Sequence, residues 1–134
     1  GMEDAEIALW TPGSAAGTTK AVVDSKRREG LKIGLVKLRM FRPFPRERLA
    51  EALRGKKAIG VIDRSISFGW NCGPTHMEVR SLSPEIGSVP MLGFIDGLAN
   101  MDISVAHLEK MIGSVYAASQ GKPYQEVSWM ALED

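Results

Sequence analysis

Three stretches of this chain carry residue types able to bind anions or move protons. The first, Gly13-Ser14-Ala15-Ala16-Gly17-Thr18-Thr19-Lys20, sets small residues, hydroxyls and an ammonium at the start of a helical pattern. That is where backbone amides at a helix start can hold a phosphate. Its spacing fits neither the Walker loop nor the dinucleotide fingerprint, so two readings stand. Either Gly13, Ser14 and Thr18 meet a small anion, or Gly13 and Ser14 form a turn and cap while Gly17 lets the helix pack closely. The second stretch, Phe41-Arg42-Pro43-Phe44-Pro45, mounts a guanidinium on a backbone stiffened by two prolines. Arg42 can grip a carboxylate or phosphate with both arms, with Pro43 and Phe44 as a rigid interface. The alternative is an Arg42–Glu47 pair with the two phenylalanines plugging the core. The third, Asp63-Arg64-Ser65-Ile66-Ser67-Phe68-Gly69, places Asp63, Arg64 and Ser65 together as a ligand or interface site. They would otherwise pair with neighbours and satisfy loop amides.

No residue is assigned as catalytic. There is no G-x-S-x-G nucleophile elbow, and His76 falls on an expected helix. His107, four residues before Met111 on an amphipathic helix, reads as surface or packing. The one cysteine, Cys72, becomes reactive only if a cation lowers its pKa. With only two histidines beside it, the chain lacks a ligand set for zinc or an iron–sulfur cluster, so no metal and no cofactor bound by the chain alone is expected.

The elements that must position these stretches follow from apolar pattern and chain breakers. Ile7-Ala-Leu-Trp10 reads as a strand, and Thr11-Pro12-Gly13-Ser14 as a turn before a helix from Ala16 to Glu29, stopped by Gly30. Strands follow at Ile33 to Leu38, Ala58 to Ile62 and Met91 to Ile95. Helices are expected after Pro45 (bearing Leu49, Ala50 and Leu53), over Thr75 to Leu82, and after an N-cap at Ser104. Strands apolar on both faces, alternating with helices, predict a mainly parallel sheet inside a three-layer α/β/α sandwich. Right-handed crossovers favour the order 2-1-3-4. A crevice is then expected beyond the carboxyl ends of strands one and three, at the Thr11 to Ser14 and Asp63 to Ser65 turns.

Length and composition suit one domain of 134 residues able to bury about two-thirds of its unfolded surface. Gly1-Met2 reads as a cloning scar, residues 3–120 as the domain and 121–134 as a tail without an assigned element. At 44% hydrophobic and 25% charged the chain is neither disordered nor fibrous, and no apolar run approaches membrane-spanning length. A cytoplasmic location is expected. Net charge is +1, but between Lys20 and Lys57 there are thirteen Lys and Arg against four Asp and Glu. Solvated helix faces account for this surplus as well as an acidic partner or an anion does. Nucleic acid is a weaker choice, because the chain as a whole is close to neutral.

In sequence, Gly13-Ser14, Gly17-Thr18, Lys20, Val22-Val23-Asp24, Arg28, Gly30, Lys32, Gly34-Leu35, Lys37-Leu38-Arg39 and Phe41-Arg42-Pro43-Phe44-Pro45 form one ordered block. A second runs through Asp63-Arg64-Ser65-Ile66-Ser67-Phe68-Gly69, Gly73-Pro74, Glu78-Val79, Gly97-Leu98 and Asp102-Ile103. Together, from about Glu3 to Ile112, they resemble the alpha-subunit core of pyruvate:ferredoxin oxidoreductase and related 2-oxoacid:ferredoxin oxidoreductases. The resemblance implies a domain similar to the transketolase C-terminal domain, following a pyrimidine-binding domain in the same subunit.

It further implies a parent enzyme that converts a 2-oxoacid, such as pyruvate, and coenzyme A to acyl-CoA, carbon dioxide and reduced ferredoxin. Thiamine diphosphate, magnesium and iron–sulfur clusters would lie in other domains or in beta, gamma and delta subunits, or their fused equivalents. This chain alone would be an inactive assembly domain. Two departures bound the carry-over: Ala99-Asn100-Met101 stands where relatives tend to have Gly-Gly-Arg, so no arginine role transfers, and Asn71-Cys72 is atypical before Gly73-Pro74. Related domains begin with an extra antiparallel strand that has no counterpart here. Strand two would then be an open edge, and a dimer of the fragment could follow. The other function classes are a small-anion or nucleotide-binding module at Gly13 to Lys20, and a nucleic-acid binder using the basic stretch.

Overall fold

Alternation of side chains along the strands determines how this molecule is layered. The computed structural model describes residues 4–12, 16–38, 46–63, 79–96 and 103–130, with the backbone alone at 12, 16, 37 and 38. In chain order the elements are β1 (Ile7–Pro12), α1 (Ala16–Arg28), β2 (Ile33–Leu38), α2 (Arg46–Leu53), β3 (Ala58–Asp63), α3 (Ser83–Ile86), β4 (Met91–Ile95), α4 (Val105–Ser119) and β5 (Val127–Trp129). The strands form one sheet in the order β2-β1-β3-β4-β5, with every neighbouring pair parallel.

Successive side chains leave a strand on opposite faces, so a central strand needs apolar residues at both parities. Ile7 and Leu9 join Ala58, Ile62, Leu92 and Phe94 on the face covered by α1 and α4. Ala8 and Trp10 join Ile59, Val61 and Met91 on the other face, covered by Leu49, Ala50 and Leu53 of α2 together with Val79, Leu82 and Ile86. The expected three-layer α/β/α sandwich is observed. From α4, Leu108, Met111, Ile112, Val115 and Ala118 face the sheet at helical spacing. Ser104 caps α4 as expected, its Oγ accepting from the His107 backbone amide at 3.0 Å. Lys26, Arg27 and Arg28 crowd the last turn of α1, where positive charge suits the helix dipole, and Gly30 then takes a φ of +99° that few other residues tolerate.

The predicted order 2-1-3-4 holds for the first four strands. The fifth, β5, pairs Val127 with Gly93 and Trp129 with Ile95 within the segment expected as a tail. Of the helix expected over Thr75 to Leu82, Val79 and Arg80 are helical while residues 75–78 lie outside the described residues. Among the described residues no helix is long and apolar enough to cross a membrane.

Folding brings part of the basic stretch onto acids from elsewhere in the sequence. Arg27 pairs with Asp4 at 2.9 Å, Lys57 with Glu6 at 2.8 Å, Arg46 with Glu85 at 3.0 Å and Lys26 with Glu109 at 4.0 Å. Each pair joins the basic stretch to an acid outside it. Hydrogen bonds and nearby charge from Arg27, Lys57 and Lys20 hold the Asp4, Glu6 and Asp24 carboxyls below their ordinary range. A carboxyl depressed in the folded state stabilises above its unfolded pKa, and that contribution is lost as pH falls through the folded value. Stability should therefore decline from about pH 4 downwards. Urea titrations of Arg27→Ala should show a shallower decline than the parent, and an equal slope would remove the Asp4 pair as a contributor.

Candidate functional site at the carboxyl end of the sheet

After β1 the chain crosses to β2 on one side, then returns to place β3 on the other, so the connections diverge at the carboxyl ends of β1 and β3. In parallel sheets this is where ligands are commonly met. Thr11 of β1 and Asp63 of β3 stand at those ends, and Asp96 follows β4. All three are buried, Thr11 completely.

Their polar groups are tied to the fold. Thr11 Oγ1 lies 3.1 Å from Oγ1 of Thr19, itself fully buried on α1. The adjacent Thr18, a candidate ligand or interface residue, is exposed on the first turn. Asp96 donates its backbone amide to the Asp63 carbonyl at 3.0 Å, joining the ends of β4 and β3. Its carboxylate Oδ2 lies 3.0 Å from Nδ1 of His107 on α4. With Asp96 ionised, this contact places a proton on Nδ1 and leaves Nε2 as the acceptor of a neutral ring. Side-chain exposures of 13% for His107 and 3% for Asp96 make the pair a largely buried staple between the end of β4 and the start of α4. The same arrangement could orient a base, provided Nε2 reached a bound molecule.

Of the residues expected at the site, Asp63 sits at the strand divergence and Thr18 stands on the adjoining helix. Gly13, Ser14, Arg42, Pro43, Phe44, Arg64 and Ser65 lie outside the described residues, as do Cys72 and His76. Thr11, Thr19, Asp96 and His107 were not foreseen as a group. The available signal was an acid directly after a fully apolar strand, followed by Ser104-x-x-His107 in a first helical turn. Among the described residues no group of three or more His, Cys, Asp or Glu could hold a metal ion.

Residues 5–108 match the family model of the pyruvate:ferredoxin oxidoreductase core domain II. The chain belongs to this family. Similar proteins include the alpha subunit of NADH-dependent phenylglyoxylate dehydrogenase from Aromatoleum evansii, 44% identical over 90% of this chain and 29% of that protein. Pyruvate synthase subunit PorA of Thermotoga maritima is 46% identical over 81% of this chain and 28% of that subunit. Ketoisovalerate oxidoreductase subunit VorA of Pyrococcus horikoshii is 35% identical over 98% and 34%, respectively. The chain thus spans about a third of the length of these curated relatives. A solved structure titled split gene transketolase, inactive beta4 tetramer, matches core domain II with a TM-score of 0.56 at 20% identity, covering 87% of this chain and 38% of that one. The fold is transketolase C-terminal-like, as the sequence resemblance implies.

Proposed function

We propose that this core domain II is a non-catalytic assembly domain in the alpha subunit of a 2-oxoacid:ferredoxin oxidoreductase, with pyruvate as the expected 2-oxoacid. The parent enzyme would oxidatively decarboxylate that acid with coenzyme A and reduce ferredoxin. The observation that carries the reading is the use made of polar groups at the carboxyl end of the sheet. Thr11 engages Thr19, Asp96 engages His107, and the Asp96 amide engages Asp63. Such contacts brace strand ends and helix starts into a firm platform for neighbouring domains. Arg42, Pro43, Phe44, Arg64 and Ser65 would supply contacts from the adjoining loops.

The chain does not fit an iron–sulfur cluster, which takes four cysteine thiolates, because the sequence has one cysteine. In this reading the clusters, thiamine diphosphate and magnesium would belong to other domains of the subunit, to beta, gamma and delta subunits, or to their fused equivalents. An anion module at Gly13 to Lys20 is less favoured, since Thr19 is buried and Lys20 is bound to Asp24 at 2.7 Å. The ion pairs linking the basic stretch to distant acids weigh against a nucleic-acid surface.

Co-expression of the alpha subunit containing this domain with its partner subunits should yield a complex that co-purifies and turns over a 2-oxoacid. The isolated chain should turn over none. Assembly and full turnover by an alpha subunit from which residues 3–120 have been deleted would refute an assembly role.

A further inference from the structure

Arg46, the first residue of α2, directly follows the Phe41-Arg42-Pro43-Phe44-Pro45 stretch, and Val79 is the first described residue after the stretch that begins Arg64-Ser65. Because β2 and β3 run in the same direction, α2 travels back from the carboxyl end of β2, so Arg46 starts on the side of Asp63 and Asp96. There its guanidinium donates Nη1 to Ser81 Oγ at 2.9 Å and Nη2 to the Ser81 carbonyl at 2.8 Å. Nη2 also faces both carboxylate oxygens of Glu85, at 3.0 and 3.1 Å. We infer that Arg46 is a positioning residue for assembly, clasping the chain where it returns from each stretch and so fixing the spacing between the Arg42-Pro43-Phe44 and Arg64-Ser65 contacts. This rests on the assembly reading above.

Helix formation does not call for an arginine at this place. The amino end of a helix carries partial positive charge, which disfavours a cation in the first turn. Eight residues are too few for α2 to persist on propensity alone, and its buried anchors Leu49, Ala50 and Leu53 begin only at its fourth residue. Arg46, Glu47 and Arg48 are exposed. Placement of the first turn against Ser81 and Glu85 therefore falls to the clasp rather than to apolar burial.

Beyond the end of α2, Arg54 Nε reaches the Glu85 carbonyl only at 3.4 Å, so the strong contacts concentrate at Arg46. Residues 79–86 are held in turn from the β5 side, where Arg80 pairs with Glu126. The clasp thus ties the start of α2 to a segment that is itself fastened to the far edge of the sheet. Its contacts need a planar fork, because an ammonium cannot span Ser81 and Glu85 in the same way. At 43% and 40% exposure the Arg46–Glu85 pair contributes little to stability. Its effect is expected in geometry, which separates the two roles.

The affinity of the full alpha subunit for its partner subunits, measured beside its unfolding midpoint, tests the inference. Arg46→Ala should weaken assembly roughly tenfold while the midpoint shifts little, and Arg46→Lys should weaken it nearly as much. Adding Glu85→Arg to Arg46→Glu should recover part of the affinity that Arg46→Glu loses alone. Arg27→Ala, which removes the Asp4 pair beside the start of β1, should cost at least as much stability yet leave assembly at the parent level. Parent affinity in Arg46→Ala and Arg46→Lys would overturn the inference. Equal losses of affinity in Arg46→Ala and Arg27→Ala would also overturn it, reducing the clasp to a stability effect. The assembly reading fails separately, if the subunit lacking residues 3–120 still assembles.

Discussion

Gly60→Val should destabilise the domain by about 3 kcal/mol, and Gly60→Ala by roughly half as much. Gly60 lies mid-way along β3, where even a Cβ would come within 2.6 Å of Val115 Cγ2, 3.1 Å of Leu9 Cδ1 and 3.2 Å of Phe94 Cε2. The worst overlap is with a β-branched side chain on α4, which has few rotamers to move into. Relief therefore requires α4 to lift from the sheet, and α4 also carries His107. Denaturant unfolding followed by circular dichroism would measure the loss. Pairing Gly60→Ala with Val115→Ala should give a cost below the sum of the two single changes, because the second removes the methyl that the first strikes. Strict additivity would show that Val115 does not set the limit.

Asp96→Ala should cost about 2–3 kcal/mol, a large effect for loss of one side chain outside the apolar core. Removing the carboxylate takes away the Nδ1 partner of His107 and leaves a space beside the strand end. Asp96→Asn can retain a hydrogen bond and should cost less. In a double-mutant cycle with His107→Ala, a coupling of about 1–2 kcal/mol is expected. Coupling near zero would mean that the 3.0 Å contact contributes nothing to holding α4 against β4.

Much of this architecture was legible because β1, β3 and β4 are apolar at both parities, a pattern demanded by a sheet covered on two faces. Gly30 and Ser104 marked element boundaries for local reasons that survive in the fold. Strand β5 was not legible: Val127, Ser128 and Trp129 are half-buried, so the segment has neither a continuous apolar run nor the length to announce a strand. Its place depends on the open edge of β4.

The candidate site was less readable for the same reason. Thr11 and Thr19 meet because α1 folds back over β1, and Asp96 meets His107 only after a turn between β4 and α4. Neither spacing is diagnostic by itself. Charge was only partly readable, since four of the bases concentrated in sequence pair in space with the distant Asp4, Glu6, Glu85 and Glu109.

The most direct test is turnover per assembled complex when the alpha subunit carries His107→Asn, which retains a donor for Asp96. If the pair is a structural staple, complexes of normal composition should keep turnover within about twofold of the parent, with an unshifted pH profile. Normal assembly accompanied by a fall of about 10²–10⁴-fold, the range for loss of a general acid or base, would contradict a non-catalytic role.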